Sequence, residues 1–579
     1  MFHVKNHKQA YIFDPWDHLG PKRRKLLDDS WAGVFQQEIL PVLPVDKLRK
    51  HYHDIFGRPT KELYSMMGLM ILQQMFDQTD QEAVEQFCFN IQWHYALNIT
   101  SPQDSASYVS EKSLWTMRNL LITEGLQDML FESTLARLAK VFKVDLEKQR
   151  IDSVHIKSNM RHLGRIGLFV KTIKKFLTNL KRQHRCLYDQ LDKELVHRYM
   201  SKKKASLFAM VKPSESGRTL DQLASDVFTL TTHFSQVESV QGMSSFKLLN
   251  RLFHEQCVVE DSDEMDSPVA VARPNKDISS DSLQNPSDPD AGYSAHKGQG
   301  YQVQVAETYS TTEQDDQCPL LTYVKVESAD KHDAGALLPA LDDLEERDMA
   351  PAQILADSLY GSDDNLERAA RDHGADVVSP VMPGNKKKIP LADFTLDEQG
   401  KILACPNGID PDTVKPTKSG YSAVFPKASC LNCPDLKRCH VREGKKGCYY
   451  RYTRKDIRIA RRQEHEKTPD FQERYRYRAG VEATMSEFDR RTGVKHLRVR
   501  GMKAVRFAAV MKAIGLNILR AARSRRRKRA SPQPHRGLCS ALFAFYRRVK
   551  EQVEQFRPGI TFFRVYVRTN LKNGCDFTF

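Results

Sequence analysis

The sequence predicts a mixed α/β protein: a sheet with helices on its faces, behind an all-helical N-terminal region. Three observations predict it. Residues 1–140 read as helical, with Leu63, Met66, Met67, Leu69, Met70, Leu72 and Met75 on one broad apolar face. Around Arg150 the apolar period changes to two, the period of a strand. From there to Pro380 the order is strand, strand, strand, helix, strand, helix, strand, which suits a mixed sheet covered by helices.

Each element follows from its local pattern. The break at Gln78-Thr79-Asp80 divides two periodic helices, either a DNA-reading pair or an ordinary packed hairpin. Arg150 to Ile156 alternates, placing Asp152 on a different face from Ile151 and Ser153. Residues 160–255 form a helical insertion rich in Lys, Leu and Phe. Residues 259–290 hold nine acids, two basic residues and no aromatic, and read as an unstructured acidic linker. Tyr301 to Ala306 and Leu320 to Val326 are strands, and Ala336 to Glu346 is a helix. Ile354-Leu355-Ala356-Asp357 is a short apolar run ending in an acid, followed by a helix from Asn365 to His373 and a strand from Asp376 to Pro380. Residues 385–450 form a Cys-rich insertion, and 467–523 return to helix. Seven of the ten residues from Arg520 to Arg529 are Lys or Arg, opening a tail over 526–579 that is basic and then aromatic.

The chain has 579 residues, 40% hydrophobic and 28% charged, with a net charge of +16. That length supports more than one core, and that charge suits a polyanionic partner, nucleic acid first. No apolar run reaches the roughly 18–20 residues of a membrane span. The N-terminus has no secretory apolar core, so a cytoplasmic protein is expected, and Asn98-Ile99-Thr100 is then no glycosylation site. There is no phosphate-binding loop for a nucleotide cofactor, no nucleophile elbow and no His-Glu-x-x-His zinc motif.

Three acids stand out by context. Asp152 is in the first strand, Asp357 ends an apolar strand, and Glu482 lies on a basic helix spanning Phe471 to Arg490. Sites in such sheets form outside the carboxyl ends of strands. Carboxylates suit hard divalent cations, and a pair of ions can serve both sides of a phosphoryl transfer. Any one acid among 73 is usually a solvated residue, so pattern alone does not select these three. The second constellation is Cys405, Cys430, Cys433 and Cys439, with His440 and Cys448 nearby. The two-residue gap of Cys430-Leu-Asn-Cys433 lets two thiolates grip one tetrahedral Zn²⁺, a structural role. The plain alternative is a set of reduced free thiols. The third is basic: residues 451–500 hold 15 Lys or Arg against eight acids, which suits phosphate contact.

The spacing Tyr475, Arg478, Glu482 resembles the signature of bacterial insertion-sequence DDE transposases. So do the contexts Ile151-Asp152-Ser153 with Lys157, Ala356-Asp357-Ser358-Leu-Tyr-Gly361, Asp288-Pro-Asp-Ala291 through Gly300-Tyr301, and Gly493 to Gly501 before the helix carrying Asn517. Where the signature has a basic residue after Glu, this chain has Asp489, with Arg490 and Arg491 next. The resemblance spans residues 15–525. It implies a ribonuclease-H-like core over 145–525, with Asp152, Asp357 and Glu482 holding two Mg²⁺ or Mn²⁺ ions. It implies DNA contacts by Tyr475, Arg478, Arg490 and Arg491, end recognition by residues 1–140, and a Cys-rich insertion like a zinc ribbon. The implied activity is cleavage at the element's terminal inverted repeats, then joining of the 3′-hydroxyl to target DNA. A homodimer on DNA, associated with the nucleoid, is implied as well. Two other readings share these features: a metal-dependent nuclease with the same core, and an inactive DNA-binding relative.

Overall fold

The computed structural model describes residues 1–7, 14–54, 56–57, 60–201, 211–260, 268–311, 317–382 and 388–530. By its contacts the chain divides into Met1–Ser524 and Arg525–Phe579. The aromatic tail, with Phe545, Tyr546, Phe556, Phe562, Phe563, Phe577 and Phe579, lies outside the described residues.

At the centre is a six-stranded mixed sheet. Its strands are β1 (Lys148–Lys157), β2 (Gly292–Ser294), β3 (Gly298–Thr308), β4 (Leu321–Ser328), β5 (Gln353–Leu355) and β6 (Asp376–Val378). β3 runs antiparallel between β1 and β4, and β2 is a short arm on the start of β3. On its other side β1 pairs in parallel with β5, and β5 in parallel with β6. This mixed sheet, with many helices around it, is compatible with a ribonuclease-H-like core. β2 escaped the sequence reading because three residues are too few to show a period.

The alternation at 301–306 does not mark a solvent face. Gln302, Gln304 and Glu307 on β3 are all buried. Each finds a partner: Gln302 donates to the Lys331 carbonyl at 3.0 Å and Gln304 to Asp333 Oδ1 at 2.9 Å. Buried polar groups persist only when paired in this way.

The N-terminal helices and the sheet share one apolar core. The helix Leu63–Met75 is buried along almost its whole length. It packs on the long helix Met502–Ala530, where a Cβ on Gly515 would lie 2.6 Å from the Met75 Cβ. Lys512, 1% exposed, crosses this contact to Asp77 Oδ1 at 2.7 Å. The helix Asp80–Phe89 begins with a capping box, Thr79 and Glu82 each satisfying the other's backbone N–H. Its exposed positions include Gln81, Glu82 and Glu85.

Two satellite cores complete the unit. Helices from Arg165–Gln183 to Ser244–Gln256 build a helical bundle with its own apolar centre. The Cys-rich segment builds a four-stranded antiparallel sheet from Thr413–Pro416, Gly420–Phe425, Cys448–Thr453 and Arg442–Glu443.

Three expectations are corrected. The described part of the 259–290 stretch is not an unstructured linker: Val269–Ala272 pairs with Cys257–Glu260, and Ser282, Leu283, Asn285 and Asp288 are buried. Asp288 accepts from Ser158 Oγ at 2.6 Å and from Tyr301 Oη at 2.5 Å, and Asp290 Oδ2 from the Met502 N–H at 2.9 Å. The helix read over Phe471 to Arg490 is broken into Pro469–Tyr475, a 3₁₀ turn Arg476–Ala479 and Gly480–Thr492. The basic run from Arg520 does not begin as a free tail. Arg520 is buried against Glu307 and Glu487, and Arg523 reaches Glu487 at 3.2 Å.

Candidate active site

Strand register brings the first two acids together. Arg150 on β1 pairs with Leu355 on β5, and two residues further along each chain come Asp152 and Asp357, close enough for Asp357 to act electrostatically on Asp152. The backbone N–H of Ser153 donates to Asp152 Oδ1 and that of Leu359 to Asp357 Oδ1, both at 2.8 Å. The loop after Asp357 is firmly tied. Ser379 Oγ donates to the Asp357 carbonyl at 2.7 Å, and Tyr360 Oη to Gln304 Oε1 at 2.5 Å. A Cβ on Gly361 would meet Ser379 Oγ at 2.1 Å, so the loop and β6 touch backbone to side chain there.

Glu482 lies in the first turn of Gly480–Thr492 and is largely exposed. Arg478 joins it to the sheet: one guanidinium nitrogen is 2.8 Å from Asp152 Oδ2 and another 3.0 Å from Glu482 Oε1. Burial pushes the Asp152 carboxyl above its usual range, Arg478 opposes this, and Asp357 and Asp333 reinforce it. Tyr475 faces the same acids; burial raises its phenol, with Asp357 and Asp152 adding to the rise. Its ring stacks on Phe471 with centroids 5.4 Å apart. Asp152, Asp357, Glu482, Tyr475 and Arg478 therefore meet in one place. Arg490 and Arg491 are exposed at the far end of the Glu482 helix. Asp489, where a basic residue was expected, closes that helix end by accepting from the Lys495 N–H at 3.1 Å.

A buried ionic network seats the Glu482 helix. Glu307 on β3 accepts from Arg150 Nε and Arg520 Nη1, each at 2.7 Å, and from Thr484 Oγ1 at 2.8 Å. Arg150 also donates to the Tyr477 carbonyl at 2.6 Å, holding the turn that carries Arg478. Tyr309, Leu355, Val378 and Phe471 form an apolar seat beneath it. The sequence reading missed Glu307, Arg150, Arg520, Gln304 and Asp333. The one available signal was an acid and three glutamines on a strand otherwise mostly of β-branched and small residues.

Much of the basic 451–500 stretch is used internally. Lys455 pairs with Asp364 at 3.1 Å, and Arg458 with Asp363 at 2.6 Å and Glu367 at 3.0 Å. Arg462 donates to the Gly361 carbonyl at 3.1 Å. These side chains tie the helix Arg454–His465 to the helix Asp363–His373 and to Gly361.

Cys405, Cys430, Cys433 and Cys439 line one cavity of about 30 Å³, with Phe394 and Phe425 among its walls. Burial, then the neighbouring Cys448 thiol, pushes the Cys430 thiol up to about 12. Among the described residues no three His, Cys, Asp or Glu side chains are arranged to hold a metal ion. Arg478 bridges Asp152 and Glu482, at 2.8 and 3.0 Å. The donor types fit, hard oxygens in one site and thiols in the other.

Two family models match the chain. One, described as a transposase DDE domain, matches residues 404–522, the segment that carries the cysteines, Tyr475, Arg478 and Glu482. The other, described as a transposase domain (DUF772), matches residues 26–120, the N-terminal helices. Both point to DNA transposition as the general activity and to DNA as what the protein acts on. Together they support an insertion-sequence DDE transposase, a class of enzyme that cleaves DNA, transfers strands and generally uses divalent metals. No curated protein and no solved structure matches. No helix among the described residues is long and apolar enough to cross a membrane.

Proposed function

We propose that the chain cuts the ends of an insertion sequence and joins the freed 3′-hydroxyl to target DNA, with Asp152, Asp357 and Glu482 as the catalytic acids. The observation that carries this is that the parallel strands ending at Arg150 and Leu355 lead to Asp152 and Asp357, which interact electrostatically, with Glu482 tied to Asp152 through Arg478. The three carboxylates would hold two Mg²⁺ or Mn²⁺ ions, which supply activation of the attacking oxygen and stabilisation of the leaving oxygen. The protein's own share is alignment. β1 and β5 bring the segments carrying the two aspartates together, and the Glu307 network fixes the helix presenting Glu482. Tyr475 and Arg478, beside the acids, contact the DNA backbone at the cut. Arg490 and Arg491 extend that contact, and the N-terminal helices recognise the element's ends as part of a dimer that holds two ends. The Cys405, Cys430, Cys433 and Cys439 thiols would hold one structural Zn²⁺ in a ribbon-like insertion.

The test is a cleavage assay on labelled duplexes carrying the DNA that flanks this gene, with Mg²⁺ or Mn²⁺, comparing wild type with Asp357→Ala. Metal-dependent nicks at the repeat ends, followed by strand-transfer products, are expected for wild type and absent for the variant. Nicks without joined products would identify a nuclease instead. Tight, salt-sensitive binding with no nicks from either protein would identify a DNA-binding relative without catalysis.

A further inference from the structure

We infer that Arg478 is a built-in counter-cation that keeps the acid site closed until DNA draws it away, so that metal loading is gated by substrate. This rests on the proposed role of the three acids. The guanidinium spans Asp152 at 2.8 Å and Glu482 at 3.0 Å, and its side chain is 16% exposed. It therefore takes up carboxylate oxygens that a divalent ion would need, and an ion entering beside it meets a fixed positive charge.

The local build suits a side chain that swings. Arg478 sits in the 3₁₀ turn Arg476–Ala479, a break between two α-helices. The backbone of that turn is pinned by Arg150 through the Tyr477 carbonyl, and Tyr477 Oη donates to the Thr311 carbonyl at 2.8 Å. Among the described residues the guanidinium hydrogen-bonds its two carboxylate partners alone, and its Nε is buried without one. A single alternative partner for the planar fork can therefore release it. A DNA phosphate is that partner, since it accepts the fork in the same bidentate manner as a carboxylate. Once Arg478 turns to phosphate, Asp152 and Glu482 lose their shared cation and present free oxygens beside Asp357. Because one side chain cannot serve both, DNA and metal binding are positively coupled. The coupling is reciprocal: DNA raises metal affinity by the same factor as metal raises DNA affinity. The arrangement also keeps the resting protein from holding loaded ions where no DNA is bound.

The experiment measures Mn²⁺ binding to the full chain by calorimetry and by electron paramagnetic resonance of free Mn²⁺. Wild type, Arg478→Gln, Asp152→Asn and Arg474→Gln are compared, with and without a duplex carrying the DNA that flanks the gene. Arg474, on the neighbouring helix Pro469–Tyr475, pairs with Asp376 rather than with the acids, so Arg474→Gln reports the general effect of removing one positive charge from this region. Without DNA, Arg478→Gln is expected to bind Mn²⁺ about tenfold more tightly than wild type, the scale of one charge-assisted contact. Arg474→Gln should change affinity by less than about twofold, as for an exposed pair. Added duplex should raise the affinity of wild type and leave that of Arg478→Gln nearly unchanged. Equal Mn²⁺ affinity in wild type and Arg478→Gln, both lost in Asp152→Asn, would overturn the latch while leaving the metal site in place. Binding that Asp152→Asn does not alter would remove the acids as ion ligands, and the proposed function and the latch would fall together. An equal gain in Arg474→Gln would reduce the effect to overall charge and also overturn the latch.

Discussion

Glu307→Gln tests whether the buried ionic network holds the Glu482 helix in place. Glu307 is fully buried and both of its oxygens are bound: Oε1 by Arg150, Oε2 by Arg520 and Thr484. Glutamine keeps the shape but removes the charge and turns an NH₂ toward a guanidinium. Each charged hydrogen bond is worth about 1.5–3 kcal/mol, and breaking a buried pair costs about 3–5 kcal/mol. Two such bonds are lost, but neither arginine is left bare. Arg520 keeps Glu487 at 2.9 Å, and Arg150 keeps the Tyr477 carbonyl at 2.6 Å. The lower end, about 3 kcal/mol, is therefore expected, a roughly 150-fold change in an opening equilibrium at about 1.4 kcal/mol per decade. The assay is amide hydrogen exchange, read in peptides from Gly480–Thr492 and in β1. Protection of the helix should fall by about two orders of magnitude, while that of the Arg165–Gln183 bundle, which has its own core, stays unchanged. Adding Arg520→Met removes one of the two destabilised charges, so the double variant should lose less than the sum of the singles. Undiminished protection of 480–492 in Glu307→Gln would refute the network as the seat of the helix.

Four further outcomes are expected. Gly480→Ala places a Cβ 2.1 Å from Arg150 Nη1 and 2.7 Å from its Cζ; because Arg150 is pinned, a loss of about 1–3 kcal/mol should appear in urea unfolding, and no loss would show that Arg150 can yield. Asn517→Leu removes both partners of the Leu321 backbone, at 2.8 and 2.9 Å, and should cost about 2 kcal/mol, seen as faster amide exchange at β4. His155 is held neutral: burial first, then Lys297 and Lys157, lowers it from the usual 6.5 to about 4. The unfolded chain then binds the extra proton between those values, so this part of the stability is full above pH 6.5 and lost as pH falls toward 4. The drop in melting temperature from pH 7 to pH 5 should be smaller in His155→Phe than in wild type, and equal drops would acquit His155. If the thiols hold zinc, purified protein should carry about one Zn²⁺ per chain by elemental analysis, with Cys433→Ser losing it.

The legibility of the sequence varied with the range of the interaction. Strands at 150–156, 301–306 and 320–326 were visible because a period of two is written into neighbouring residues. The helix at 63–75 was visible for the same reason, with a period near 3.6. The acids at 152 and 357 were placed in strand and strand-end contexts from those patterns alone. The 3₁₀ turn at 476–479 was not visible, because Arg150 holds it by reaching Tyr477 from more than 300 residues away. The stretch 259–290 looked unfoldable by composition, yet its part from 268 on is built into the fold. That part is ordered because Asp288 and its neighbours find Ser158 and Tyr301, partners that composition does not count.

What the sequence determined by itself is local: which segments alternate, where they end, and which side chains sit at their tips. Backbone geometry alone enforces those choices within a few residues. What only the tertiary structure decided is who meets whom across the chain. Parallel pairing of β1 and β5 brings the segments carrying Asp152 and Asp357 together, and a 3₁₀ turn puts Arg478 between Asp152 and Glu482. Arg458 and Arg462 look like DNA-binding residues by type, yet they serve as internal clamps because acids and carbonyls of another segment arrive next to them. A charge carries no record of its partner; only the fold assigns one.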